Sequence, residues 1–402
     1  MRHRLARLAA ILGSEGAAGI AARLRHRPAA VPPAPDLPAR LPLCRHARGA
    51  RAEARAAMLA RGLTGIGVTL LPAGPGDGRD GGPVLHLGLP GDPGRIAPCD
   101  LLVPEDGDER RPGFPAAAGR AALVLAGTGG LLAALEHRVP GRPHVIALPG
   151  GPGVAQDLAF RRLAVFCGRM PAAAVDYRPV LRAGLAAGGP LRLCLSLPET
   201  PSRRASFLRH GLPGFAPVDG IRLLPGWRGA GASYRALARA ALELGVGALT
   251  VAQDDLVPGP DFAARLALAE RAVAGGDADF FSGLVTDVTP ALRVHRSFDA
   301  QGARFVEFSH NVGLVLTVLG ERALRHLAQW EDGGEDGAGG TIDRHLSRAG
   351  GLRALTLLPA LAGHDPGLRS AAWSFRNARY DSMIRASSRR LARLVAQAPR
   401  DG

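Results

Sequence analysis

LTVAQDDLV, residues 249–257, is the stretch on which the reading of the fold turns. Leu249, Thr250, Val251 and Ala252, led in by Ala248, form an apolar, β-prone run that stops abruptly at Gln253, Asp254 and Asp255. Leu256 and Val257 follow, then a Pro258-Gly259-Pro260 turn. A buried strand that delivers adjacent carboxylates at its C-terminal end suits a hard divalent cation. Mg²⁺ and Mn²⁺ take oxygen ligands, commonly one or two carboxylates together with substrate phosphates. The carboxyl ends of strands are also where an open α/β sheet forms its crevice. The bland alternative is a strand-end turn or a helix cap, and the order of the surrounding motifs favours the site.

Working outward, residues 191–197 (LRLCLSL) read as a strand, and 201–210 as a helix carrying Arg203, Arg204 and Arg209. A long Ala- and Leu-rich helix spans 230–244, just before the acidic strand, and another spans 261–274. Further strands fall within 280–285, 305–319 and 352–358, a helix at 341–348, and a basic helix at 382–398. On the N-terminal side, 50–61 reads as a helix, and 66–71, 84–89, 101–103, 122–126 and 144–148 as strands cut off by Gly and Pro. Short apolar strands alternating with helices predict a parallel, Rossmann-like sheet. The Gly-rich pieces at 127–130 and 150–153 follow strands but match neither GxGxxG nor the P-loop, so they read as plain turns. The Pro-rich stretch 28–43 reads as an extended linker. The division is therefore a basic N-terminal helix with linker (1–43), a Rossmann-like α/β domain (44–188), a second α/β domain (189–375), and a basic C-terminal helix and tail (376–402).

The 402 residues suffice for two such domains, and a hydrophobic share of 47% argues against wholesale disorder. Lys and Arg together number 50 and give a net charge of +15, yet every one of them is Arg. They are scattered, without one stripe of interleaved aromatics, so nucleic acid is not the expected partner. A diffuse positive field favours anionic partners such as nucleotide-sugars or acidic lipids. Cys44, Cys99, Cys167 and Cys194 lie far apart with no CxxC spacing, which gives zinc and thioredoxin-type readings no support and fits a reducing compartment. No stretch reaches the apolar length of a membrane span. Arg2, Arg4 and Arg7 precede a short apolar run broken by Ser14, Glu15 and Gly16, which suits a surface-lying amphipathic helix better than a signal peptide.

Four blocks in order carry a resemblance. They are a strand followed by Pro201-Ser202-Arg203-Arg204 and then Pro217-Val218-Asp219-Gly220; Gly229-Ala230-Gly231-Ala232-Ser233-Tyr234; Gln253-Asp254-Asp255; and Thr341-Ile342-Asp343-Arg344-His345-Leu346, followed by Leu358-Pro359 and Gly363-His364-Asp365. Over residues 190–375 or so, the chain resembles bacterial glycosyltransferases of the lipopolysaccharide type, close to glycosyltransferase family 25. The resemblance implies a GT-A fold, a nucleotide-sugar-binding domain with a mixed central sheet. It implies metal-dependent, inverting transfer from a nucleotide-sugar donor, UDP-linked by preference, to a cell-envelope glycan or glycolipid acceptor. The expected cofactor is Mn²⁺ or Mg²⁺, and the expected place is the cytoplasm or the inner membrane face, touching anionic lipids.

The resemblance also implies roles. Asp255 is the expected metal ligand, with Asp254 on an extended chain pointing away from it and serving the loop, the ribose or the sugar. Gln253 stands where the family typically has Glu and carries no charge, which leaves an inactive glycan- or nucleotide-binding protein as the alternative. His364 is the expected second metal ligand; imidazole suits Mn²⁺ better than Mg²⁺. Asp343 is the candidate general base, with Asp332, Glu335 and Asp336 in a Gly-rich loop as rivals. Ser196, Glu199, Arg203 and Asp219 are expected near the nucleotide, and Arg204 fits a solvated helix face as well as that edge. Gly231, Ser233 and Tyr234 are expected to set a tight turn and a helix N-terminus near the diphosphate. His295, His310 and Trp330 read as structural, with Trp330 a candidate for the acceptor pocket.

Overall fold

Apolar runs of three to six residues, interrupted by Gly and Pro, form short strands buried on both faces, the pattern of a sheet covered by helices. The computed structural model describes residues 34–73, 82–139, 144–149, 153–286, 292–309, 313–331, 341–348, 351–371 and 376–398. The N-terminal helix, His310 and the loop with Asp332, Glu335 and Asp336 lie outside these. The chain is α/β, with a parallel six-stranded sheet and a mixed eight-stranded sheet.

The first unit comprises β1 (Arg40–Arg45), α1 (Ala50–Thr64), β2 (Thr69–Ala73), β3 (Leu85–Leu87), β4 (Leu101–Val103), α2 (Phe114–Arg120), β5 (Leu123–Ala126), α3 (Gly129–Arg138), β6 (His144–Ala147) and α4 (Val154–Phe166). The strand order is β2-β1-β3-β4-β5-β6, parallel throughout. One face packs Leu41, Leu85, Leu101, Leu123 and Ile146 against Leu59 and Leu63 of α1 and Leu163 of α4. The other packs Leu102, Val124 and Val145 against Phe114 of α2 and Leu131 and Leu135 of α3.

The expected linker corrects here: its end, Arg40–Arg45, is β1, an inner strand, and Leu37 and Leu41 are fully buried. Proline usually keeps a segment out of a sheet's interior. Pro42 is tolerated because β1 pairs with β3 only from Leu43 onward, whereas Pro42 has a partner only on the β2 side.

After α5 (Arg178–Ala186), the second unit runs through β7 (Arg192–Ser196), α6 (Pro201–Arg209), β8 (Phe215–Asp219), α7 (Gly226–Glu243), β9 (Ala248–Gln253), β10 (Leu256–Pro258), α8 (Phe262–Ala274), β11 (Phe280–Ser282), β12 (Val294–Ala300), β13 (Ala303–Phe308), β14 (Leu316–Gly320), α9 (Glu321–Leu327), α10 (Ile342–Ser347), β15 (Ala354–Leu358), β16 (Ala362–His364) and α11 (Asp381–Gln397). Its large sheet is ordered β12-β13-β15-β11-β14-β9-β7-β8. Strands β8, β7 and β9 are parallel, and β14 runs against both β9 and β11. Alternate residues serve opposite faces. Leu193, Leu249 and Val251 meet Leu237 and Ala241 of α7, while Cys194, Ala252 and Val318 meet Phe207 of α6 and Leu266 of α8. The hairpin β12–β13 turns at Gln301 and Gly302, both with positive φ, the backbone a two-residue hairpin turn requires.

Helix α7 begins at Gly226, four residues earlier than the composition suggested, so Gly231, Ser233 and Tyr234 lie inside the helix and not at its mouth. The expected tail helix is present as α11. Its apolar stripe packs Leu391 and Val395 into the second unit's core, and Ser387 donates to the carbonyl of Thr286 at 2.8 Å. No helix among the described residues is long and apolar enough to cross a membrane.

Candidate functional site

The chain leaves β7, forms β8 on one side of it and then crosses to form β9 on the other. The carboxyl ends of β7 and β9 therefore flank a topological switch point, where open α/β sheets bind ligands. Leu195 pairs with Gln253 across this seam, which sets Ser196 and Asp254 at its mouth. Helix α6 lies over the mouth. Its Arg203 and Arg204 are consecutive, and consecutive helical residues do not face the same way, so the two guanidinium groups serve different strands.

Arg203 serves β9. It is almost fully buried, donates to Asp254 Oδ1 at 2.7 Å and stands 3.1 Å from Asp255 Oδ2. A third bond, at 2.5 Å, goes to the carbonyl of Arg369. The expectation that Asp254 would point away from Asp255 corrects here. The strand ends at Gln253, and both acids sit in the turn before β10, where they converge on one guanidinium. Burial pushes the Asp254 carboxyl above the usual range; Arg203 opposes the shift and Asp255 adds to it. Burial lowers Arg203, but the charges of Asp255 and Asp254 outweigh it and hold the guanidinium firmly ionised.

Arg204 serves β7 and β8. Its Nε donates to Ser196 Oγ at 3.1 Å, and its Nη2 to Asp219 Oδ1 at 2.5 Å. Of the two places open to Arg204, the structure shows the half-buried one, a bridge that joins two of the expected nucleotide residues.

The short ribbon of β10 and β16 brings His364 alongside. Leu256 pairs with His364, and the Asp365 N–H donates to the Asp255 carbonyl at 2.8 Å. His364 Nε2 donates to the Asn377 carbonyl at 2.9 Å, which leaves Nδ1 as the unprotonated nitrogen of the neutral ring. Tyr380 packs edge-on against that ring, with centroids 5.8 Å apart. Asn377, buried and not singled out from the sequence, donates from Nδ2 to Asp255 Oδ2 at 2.7 Å. Asp343 sits in the first turn of α10 and accepts from the Arg344 N–H at 2.9 Å. Burial pushes the Tyr380 phenol up to about 12, and the charges of Asp255 and Asp343 add to the shift. Tyr234 is raised by burial too, with Asp255 and Asp343 again contributing and a bond with Gln253 opposing. Asp255 and Asp343 thus act electrostatically on the same two phenols.

The other expected donor residues are engaged elsewhere. Glu199 is fully buried against Arg162 of α4, with both oxygens 2.8 Å from Nη2, and Oε1 accepts from the Ala147 N–H at 2.9 Å. A Cβ on Gly231 would lie 2.4 Å from the Trp330 ring, so its small size serves helix packing. Trp330 is buried in that contact. Ser233 accepts from the Ile221 N–H and donates to the Gly229 carbonyl, while Tyr234 donates to the Leu314 carbonyl. None of these three opens a helix toward a phosphate. His295 lies on β12.

The donor chemistry at the acidic pair fits a hard cation. Buried acceptors are nearly always satisfied, yet Asp254 Oδ2, Asp255 Oδ1 and Asn377 Oδ1 are buried without a hydrogen-bond partner among the described residues. If both acids are ionised, Arg203 leaves the pair one negative charge in excess. A different group has a tighter convergence of ligands. Among the described residues, Cys44, His46 and His86 are the one set of three or more His, Cys, Asp or Glu whose ligand atoms lie within 4.8 Å of one another, and they could hold a metal ion. This corrects the inference drawn from the missing CxxC spacing. Cys44 and His46 form a short Cys-x-His pair at the end of β1, but the third ligand is 40 residues on, in β3, so no CxxC-type spacing announces the set. Comparison with protein-family models and with curated proteins found no match.

Proposed function

We propose that the second unit is a nucleotide-sugar-dependent glycosyltransferase of GT-A type, acting on a cell-envelope glycan or lipid-linked acceptor with inversion. The observation that carries this reading is the Asp254–Asp255 turn, with unpartnered buried oxygens at a switch point between parallel strands. The mixed sheet, with β14 antiparallel to its neighbours, supports the fold assignment. Asp255 and Asp254 would hold Mn²⁺ or Mg²⁺ through oxygen; the ligand atoms of His364 do not converge with theirs within 4.8 Å, so His364 would have to swing toward the acids to join them, a ligand set that would favour Mn²⁺. A bound divalent cation supplies compensation for the charge that develops on the diphosphate leaving group. Ser196, Arg204 and Asp219 form the polar edge that receives base and ribose at the ends of β7 and β8. Arg203 holds the two acids in one orientation. Asp343 takes the proton of the acceptor hydroxyl. Arg385, Arg389 and Arg393 stand exposed at four-residue spacing on α11, opposite its packed stripe, and support contact with anionic lipid headgroups.

The engagement of both acids by Arg203, together with the uncharged Gln253, favours one rival: a protein that binds nucleotide or glycan without turnover. One experiment separates the two. The full chain is incubated with UDP-, GDP- and CMP-sugars, in Mn²⁺ or in EDTA, beside Asp255→Asn. Nucleotide release from one donor that needs both the metal and Asp255 is the expected result. Metal-dependent binding without release identifies the rival. Neither release nor metal-dependent nucleotide binding by calorimetry overturns both.

A further inference from the structure

The first unit has a switch point of its own. The chain leaves β1, forms β2 on one side of it and then β3 on the other, so the carboxyl ends of β1 and β3 flank a crevice. Helices α2 and α3 cover one face of β4–β6, and the matching face of β1 and β3 carries polar side chains instead. Cys44 and His86 are register partners on neighbouring parallel strands, so they share that face. His46, two residues beyond Cys44, continues it.

The contacts among them form a directed chain. His86 Nε2 lies 3.0 Å from Asp100 Oδ2, and His86 Nδ1 lies 3.0 Å from His46 Nε2. Asp100 is buried and pinned by two backbone donors, Val84 N–H at 3.0 Å and Ala97 N–H at 2.7 Å. An acceptor held this rigidly places the His86 proton on Nε2 and leaves the Nδ1 lone pair facing His46. A histidine whose far nitrogen donates to a carboxylate while the near one faces a shared centre is the arrangement that metal-binding histidines adopt.

The geometry points to a zinc-class metal site in the first unit: Cys44 Sγ, His46 Nε2 and His86 Nδ1 are the ligands, Asp100 orients His86, and among the described residues no fourth His, Cys, Asp or Glu joins the set, which leaves a position for water or an anionic ligand atom. The N₂S donor set selects a borderline-soft ion over Mg²⁺ or Ca²⁺. Two nitrogens on one tetrahedral Zn²⁺ stand about 3.3 Å apart, given Zn–N bonds of about 2.05 Å. The 3.0 Å between the facing nitrogens needs only a small opening. On binding, the Cys44 thiol proton is released to solvent as the S–Zn bond forms, and the His46 proton moves from Nε2 to Nδ1. Three protein ligands with a fourth position free is the pattern of catalytic and ligand-accepting zinc, whereas structural zinc is closed by four. The first unit is on this reading a ligand-binding domain in its own right, independent of the Asp254–Asp255 turn.

The test uses the untagged full chain, stripped of metal and titrated with Zn²⁺ and separately with Co²⁺. Elemental analysis gives the stoichiometry, and Co²⁺ spectra give the ligand type. The expected result is one thiolate-bound ion per chain, marked by a thiolate-to-Co²⁺ charge-transfer band that saturates at one equivalent. The band is lost in Cys44→Ser and unchanged in Asp255→Asn. Asp100→Asn weakens affinity about 10–100-fold. His46 is only half-buried, so His46→Ala spares the core and decides the matter should Cys44→Ser fold poorly; it too loses tight binding. Absence of the band in the wild-type chain, or a band that survives both Cys44→Ser and His46→Ala, overturns the proposal.

Discussion

Asp254 carries an electrostatic conflict, because it is buried beside a second acid with one guanidinium between them. Its folded carboxyl titrates above the unfolded value of about 3.9. A carboxyl raised on folding stabilises the protein at pH below its unfolded value, and that contribution is lost as pH rises through the folded value. Asp254 alone should therefore make the unfolding free energy decline with pH above about 4. Asp254→Asn should remove that decline, as read from urea unfolding of both proteins over a pH series; an unchanged pH profile would mean that Asp254 ionises normally. Asp100 acts with the opposite sign. Burial raises its carboxyl, but the bonds from His86, Ala97 and Val84 outweigh this, so its contribution is present above the unfolded value and lost on acidification. At this scale the acidic pair was legible in the sequence, since an apolar run that ends in two acids stands out. Arg203 was legible as a neighbour of the site but not as the cation between the acids. Asn377 lies 122 residues from Asp255 and belongs to no pattern, so only the folded chain reveals it.

At the scale of elements, α7 shows how a small residue can be misread. Gly231 within a run of small residues suggests a loop near phosphate. In the helix it is the point where the Trp330 ring approaches the backbone. Gly231→Ala improves intrinsic helix propensity by about 1 kcal/mol, yet the added methyl must displace the ring. We expect a net loss of about 1–3 kcal/mol in chemical denaturation, the usual range for overpacking. A variant of undiminished stability that failed to bind nucleotide would restore the phosphate role. The strands most readily read from sequence were the continuous apolar ones, such as β4 and β5, which match expectation to within a residue. β1 was hidden by proline. β12 was hidden because its side chains are half exposed and mixed with charge, so no apolar run marks it. The Cys44-x-His46 pair was the one short spacing on offer, and it carries little weight alone because the third ligand, His86, joins it only through the pairing of β1 with β3.

For the whole molecule, the division near residue 188 cuts through shared packing. Helix α4 sends Phe160 and Leu163 into the first unit's core, and Leu158 and Val165 into the second's. Arg162 of the same helix is sealed against Glu199. Removing one member of a buried ion pair strands the other, at about 3–5 kcal/mol. Glu199→Ala should lose that much and separate one unfolding transition into two, whereas the apolar pair Arg162→Met with Glu199→Leu should lose less than the single change. Calorimetric scans of the three proteins check both. Glu199 has a further consequence, through β6. Among the described residues that strand is the last of its sheet, and its outward backbone groups meet side chains there: the Ala147 N–H goes to Glu199, and the Val145 carbonyl accepts from Arg222 at 2.8 Å. Two side chains thus occupy the hydrogen-bonding row that a strand from another molecule would otherwise use. Parting the two units would uncover a short apolar template, and the first sign of damage would be concentration-dependent self-association, seen as light scattering well before the helices melt.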